Sequence, residues 1–184
     1  MNDIIREEGY RPEQVELLGS KLLMGNGYVG CRGTLEEHRA QQLTALTMAG
    51  LFDQRGSDWR EPVNAPDPFW VRAQFDAQPL SVLEQTPSEH SQWVDISCAC
   101  QGRESVFAAA EVKALRFASL ADRHLLALRY TVTARTEGDC QLVIAPDCEI
   151  WDIHGPHLKD AALRAEEGAL LYTASTLELG TEIA

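Results

Sequence analysis

The chain has 184 residues, 45% hydrophobic and 24% charged, enough for one domain with a real core. Its formal net charge is −12, from 28 acidic and 16 basic side chains, and such a surface repels nucleic-acid phosphates and anionic lipid alike. No apolar run approaches the roughly 20 residues of a spanning helix, and Met1-Asn2-Asp3-Ile4-Ile5-Arg6-Glu7-Glu8 holds no apolar signal core, so a cytoplasmic protein with no membrane or nucleic-acid partner is expected.

The first informative stretch is Gly25-Asn26-Gly27-Tyr28-Val29-Gly30, a literal G-x-G-x-x-G, with Asp53 following 23 residues after Gly30. A dinucleotide-binding turn must end a strand and open a helix whose N-terminus holds the pyrophosphate. Leu22-Leu23-Met24 can end a strand, but residues 25–33 hold four glycines, each costing about 1 kcal/mol against Ala inside a helix. Tyr28 and Val29 favour strand. The stretch therefore reads as a tight Gly-Asn-Gly turn entering a short strand, and no cofactor is expected. Glu36–Gln42 is a short helix candidate. Residues 53–68, rich in Asp, Gly, Asn and Pro, read as one long loop.

Period-two alternation then recurs. Phe69, Val71, Ala73 and Phe75 share one face of a strand over 69–75, and Asp76–Pro79 reads as a turn. Residues 94–100 alternate again through Val94, Ile96, Cys98 and Cys100. Around Leu115, Phe107, Leu115 and Phe117 take the opposite parity from Val106, Ala108, Ala110, Val112 and Ala114, so a strand here is apolar on both faces and needs cover on both. Residues 126–133 and 140–145 alternate, with a turn at Ser119–His124, and Ala169–Ser175 follows a Glu167-Gly168 turn. Pro156–Arg164 is the second short helix candidate. Many strands joined by turns, with little helix, point to an all-β antiparallel sandwich.

Five cysteines, Cys31, Cys98, Cys100, Cys140 and Cys148, make an odd count, which favours free thiols over a disulfide framework. Cys98-x-Cys100 and His154-x-x-His157 complete no zinc spacing, so no metal is expected. The acidic clusters Glu36-Glu37 and Asp147/Glu149/Asp152 read as a solvated face rather than a catalytic pair. His124, after Asp122-Arg123, reads as a turn histidine, and Trp59, Trp70 and Trp93 as core or interface anchors. Within Trp151–His157, an exposed indole beside imidazoles is a way to hold a sugar face, and Trp151, His154 and His157 are the substrate-facing candidates. The alternative is a Trp151 buried between the sandwich and a neighbour.

Four blocks, GSKLLMGNGYVGCRGTLEE (19–37), WREPVNAPDP (59–68), FASLADRHLLALRYTVTA (117–134) and EIWDIHGPHL (149–158), occur in an order that resembles the N-terminal domain of glycoside hydrolase family 65, the family of the maltose, trehalose, kojibiose and nigerose phosphorylases. The resemblance implies a large antiparallel β-sandwich of the galactose-mutarotase-like kind, here cut short. It implies that the glycine-rich turn is structural, and that Arg32 on its strand makes an ion pair or a bond to a carbonyl. It implies a parent enzyme that phosphorolyses an α-glucosidic disaccharide with inversion to β-glucose 1-phosphate. The acid and the phosphate site would lie in a helical (α/α)6 barrel absent from residues 1–184. On this reading the chain is one domain without a catalytic residue, its partners being the barrel, the parent's disaccharide and phosphate, and further copies in a homo-oligomer. Two other readings stand beside it: a free-standing carbohydrate-binding sandwich, and a dinucleotide-dependent oxidoreductase, which lacks its helix.

Overall fold

The computed structural model describes residues 3–184. Its strands begin with β1 (Ile4–Glu8), followed after the α-helix α1 (Val15–Lys21) by β2 (Met24–Gly25), β3 (Val29–Cys31), β4 (Leu46–Gln54) and β5 (Arg60–Ala65). Next come β6 (Val71–Phe75), β7 (Gln78–Pro79), β8 (Glu89–Asp95), β9 (Cys100–Val106) and β10 (Ala110–Ala118). The chain ends with β11 (Leu126–Ala134), β12 (Cys140–Ile144), β13 (Leu158–Glu166), β14 (Ala169–Thr176) and β15 (Glu182–Ile183).

All pairings are antiparallel. A five-stranded sheet runs β1-β8-β9-β10-β11, and the sheets β2-β3-β4-β5, β12-β6-β7 and β13-β14-β15 complete the β-sandwich. Alternation decides which face is buried. In β10, Ala110, Val112, Ala114, Arg116 and Ala118 point inward, while Lys113 and Phe117 are exposed on the other face and Leu115 is half-buried there. One end of the five-stranded sheet packs Ala118, Leu126 and Leu128 against Met24, Val29, Leu46 and Val63 of the second sheet. The other end packs Ala110, Val112, Tyr130 and Val132 against Ala73 and Phe75 of the third and against Leu80 just after β7.

Between these two apolar cores the interior is charged. Arg103 is 1% exposed, and its guanidinium lies 3.0 Å from Glu36 and 2.7 Å from Glu37. It also donates to Ser105 Oγ at 3.1 Å and Tyr130 Oη at 3.3 Å. Arg116 donates to Gln101 Oε1 and to the carbonyl of Thr34. So Glu36 and Glu37 are not a solvated face: the sheet supplies two buried arginines as counterions, and ionised carboxylates stay buried when paired this way. His38 and His90 sit beside these cations. Burial first, and Arg103 second, lower their pKa to about 3 and about 4, which keeps both imidazoles neutral.

The glycine-rich turn opens onto strand β3, as its composition requires. Asn26 Oδ1 accepts from the amides of Tyr28 and Val29, both at 3.0 Å, and Gly27 has φ +85°. Asn26 Nδ2 reaches across to the carbonyls of Ser119 (2.6 Å) and Arg123 (3.1 Å), stapling this turn to the β10–β11 turn. The space beside Gly33 is filled by the carbonyl of Leu22, 2.5 Å from where a Cβ would stand. Arg32 donates to the carbonyl of Glu16 at 2.7 Å, one of the two roles expected of it. His124 donates its amide to Asp122 Oδ1 and lies against the ring of Tyr28.

Four local expectations are corrected. Glu36–Gln42 forms a turn and a 3-10 turn, Ala40–Gln42, closed by Leu43 at φ 55°. Pro156–Arg164 is no helix: from Leu158 on it lies in strand β13, because the Glu167–Gly168 reversal, with Gly168 at φ +74°, brings Ala169–Thr176 alongside to pair with it. Residues 53–68 contain β5, whose Pro62 is tolerated on the edge strand of its sheet. The 94–100 strand breaks into the ends of β8 and β9 around a turn in which Ala99 has φ 53°, leaving Ile96 exposed. Cys31 is buried in the core, and burial pushes its thiol up to about 12, whereas Cys98, Cys140 and Cys148 are exposed. Among the described residues no helix is long and apolar enough to cross a membrane.

Candidate functional site

The segment from Asp147 to His157 crosses β5 as a strap. Its start is fixed by paired backbone bonds between Asp147 and Asp67 and by the guanidinium of Arg39. Arg39 donates to Asp147 from Nε (3.1 Å) and Nη2 (2.7 Å), a bidentate pair. Its middle is fixed by Asn64 of β5. The Asn64 amide N–H donates to Asp152 Oδ1 at 2.9 Å, and its side chain donates to the carbonyl of Trp151. The indole of Trp151 is half-buried and donates to the carbonyl of Thr44 at 2.7 Å. Gly155, at φ +86°, reverses the chain toward β13.

The strap ends in a closed charge cluster. His157 is 0% exposed and sits between two carboxylates that are themselves 0% and 1% exposed. Its Nδ1 lies 3.0 Å from Asp53 Oδ2 on β4, and its Nε2 lies 2.6 Å from Glu61 Oε1 on β5. Glu61 Oε1 also accepts from the amide of His154 (3.0 Å) and lies 3.2 Å from His154 Nδ1. Asp53 Oδ1 accepts from the amide of Leu179 at 2.9 Å, so the β14–β15 turn is tied to the same carboxylate. Burial pushes the Asp53 and Glu61 carboxyls up, but the bonds from His157 and from backbone amides outweigh it, and both are held below their usual range. For His157 burial acts downward, yet the bonds to Asp53 and Glu61 and the charge of Asp152 leave its pKa raised. Asp152, half-buried, is raised by that burial.

Chemically this cluster is closed. Both nitrogens of His157 are engaged by carboxylates, so neither is free to bind a metal ion, and no described group of three His, Cys, Asp or Glu is placed to hold one. Of the three substrate-facing candidates, the structure puts His157 in the interior and Trp151 half-buried. His154 is half-buried as well, its ring 4.6 Å from that of the exposed Trp59 in an edge-on arrangement. Trp59 is 64% exposed and so is no core anchor, whereas Trp93 lies over Gly102, which leaves no room there for a Cβ. Asp147 is likewise buried on Arg39 rather than solvated. Asp53 stands out in the sequence only as the acid downstream of the glycine-rich turn and Glu61 only as one of 28 acids; strand pairing alone sets Asp53 opposite Glu61.

Antiparallel sheets around two apolar cores, joined by buried ion clusters, define an all-β sandwich domain. Residues 5–183 match the glycosyl hydrolase family 65, N-terminal domain, and the chain belongs to that family. It is 36% identical over 163 residues to a nigerose phosphorylase of Lachnoclostridium phytofermentans and 26% identical over 162 residues to a 1,2-alpha-glucosylglycerol phosphorylase of Bacillus selenitireducens. Each alignment covers 85% of this chain and 21% of the relative, so the chain spans about a fifth of the length of these curated relatives. A solved structure carrying the name of a kojibiose phosphorylase from human microbiome superposes with a TM-score of 0.82 at 16% identity, over 96% of this chain and 26% of that one, and shares its fold.

Proposed function

We propose that this chain is the N-terminal sandwich of an enzyme that cleaves an α-glucosidic disaccharide with phosphate and inversion, releasing β-glucose 1-phosphate, and that the sandwich performs no chemical step. The observation that carries the reading is the family match over residues 5–183. Phosphorolysis with inversion needs one carboxylic acid that can reach the leaving oxygen, while phosphate itself attacks the opposite face. Asp53, Glu61, Glu36 and Asp147 are buried and paired with His157, Arg103 and Arg39, which leaves them unable to reach a sugar. In this reading the acid comes from a catalytic barrel in the part of the parent that these residues do not span. The sandwich packs on that barrel in a cytoplasmic homo-oligomer. His154 faces the substrate side, and Trp151 and His157 shape the strap beneath it.

The test is direct. The purified chain, given phosphate and maltose, kojibiose, nigerose or trehalose, should release no glucose 1-phosphate, and robust release overturns the non-catalytic reading. The full parent should convert one such disaccharide to the β-anomer, visible by proton NMR. A second reading, a free-standing carbohydrate-binding sandwich, is favoured by one observation: the exposed indole of Trp59 held edge-on by His154. It requires the chain alone to bind disaccharide in calorimetry, with binding lost in Trp59→Ala.

A further inference from the structure

We propose that His157 is held as a doubly protonated imidazolium and that this proton fastens the end of the Asp147–His157 strap to the β4–β5 pair, so that losing it at alkaline pH releases that end while the two apolar cores stay packed. A neutral imidazole carries one N–H and one lone pair. Both ring nitrogens of His157 face carboxylate oxygens, at 3.0 and 2.6 Å, and an ionised carboxylate only accepts. With a single ring proton, one nitrogen lone pair would point at an anionic oxygen in a site closed to water.

The surrounding charge favours the same proton. Asp53 comes from β4, Glu61 from β5, and Asp152 and His154 from the strap; the β14–β15 turn contributes the amides of Glu178 and Leu179, the Glu178 side chain being exposed. Glu61 Oε2 is buried with no hydrogen-bond partner, so the charge of Glu61 is met through Oε1 alone. Three carboxyls thus surround one imidazole, and deprotonation would leave Asp53 and Glu61 as a buried like-charged pair. His38 and His90 provide the internal contrast: beside Arg103 they are neutral.

The direction follows. His157 is raised in the folded chain, so its contribution is fully present below about pH 6.5 and is lost as pH climbs through the higher folded value. Asp53 and Glu61 are lowered, so theirs is present above about pH 4 and lost in acid. The end of the strap is therefore held between these limits. Its start, Asp147 on Arg39, and its middle, Trp151 and Asp152 on Thr44 and Asn64, use no histidine, and release is confined to residues 153–157 and the 176–181 turn that Asp53 holds.

The experiment uses the intact chain labelled with ¹⁵N-histidine. At about pH 7.5, an exposed histidine of ordinary pKa is mostly neutral; His157 should show protons on both ring nitrogens. Its resonance is identified in Glu61→Gln, where it should titrate at lower pH. Amide exchange followed from about pH 7 to about pH 9.5 should show residues 153–157 and the 176–181 turn losing at least ~10-fold more protection than β9 and β10, after correction for intrinsic rates. A singly protonated His157 at neutral pH, or amides of 153–157 whose protection follows that of β10 across the range, overturns the proposal.

Discussion

Arg103→Met replaces a guanidinium that is 1% exposed with a shorter, uncharged and flexible apolar chain. Glu36 keeps Arg116, whose Nη1 lies 4.0 Å away. Glu37 loses its bidentate partner, at 3.2 and 2.7 Å, and retains only the amide of Val82 at 3.1 Å. Removing one partner of a buried pair costs about 3–5 kcal/mol, and the surviving Arg116 places this case near about 3 kcal/mol. For a chain of this length each kcal/mol moves the midpoint by about 2–4 °C, so Tm should fall by about 6–12 °C. The assay is differential scanning calorimetry together with urea unfolding, on the single variant and on Arg103→Met/Glu37→Gln. Neutralising the orphaned carboxylate should restore at least about 1 kcal/mol, because the loss lies in the stranded charge rather than in missing attraction. A single variant within about 1 kcal/mol of the parent, or a double variant no better than the single, would refute the charge-cluster account.

Asn26→Ala removes four hydrogen bonds, two within its turn and two to the carbonyls of Ser119 and Arg123; at a net ~1 kcal/mol for the better-buried ones it should cost about 2–3 kcal/mol in urea unfolding, with Gly27 and β3 intact. Phe117 is 38% exposed beside half-buried Leu115 on the outer face of β10, so the chain should bind hydrophobic dye or self-associate in the ultracentrifuge, and Phe117→Glu should reduce both.

The alternation of residues 69–75 and 126–133 carries its meaning in the local sequence, and the strands lie where the pattern puts them. Pro156–Arg164 and residues 60–65 do not, because neither has a local pattern that outweighs helix-forming or loop-forming residues. Each becomes a strand through a partner: Ala169–Thr176 for the first and β4 for the second. The inner face of the five-stranded sheet was hidden for a different reason. Arg103 and Arg116 occupy core positions of strands, where a charged residue reads as outward unless its counterion is known. That counterion, Glu36–Glu37, lies in a turn more than sixty residues earlier. The strap is intermediate. Its histidines and tryptophan stand out by type, but their carboxylate partners come from β4 and β5, and only the folded sheet brings Asp53 and Glu61 to the two nitrogens of His157.

The pairing of β1 with β8 sets an order of events on the ribosome. Ile4–Glu8 finds its partner only in Ser91–Asp95, at register Glu8↔Ser91 through Ile4↔Asp95. At roughly 5–20 residues per second, the first strand waits about 5–20 s before its mate has even been synthesised. During that interval it is an unpaired edge, the kind of segment that recruits other nascent chains. Three of its five residues, Arg6, Glu7 and Glu8, are charged, which resists such recruitment until β8 arrives.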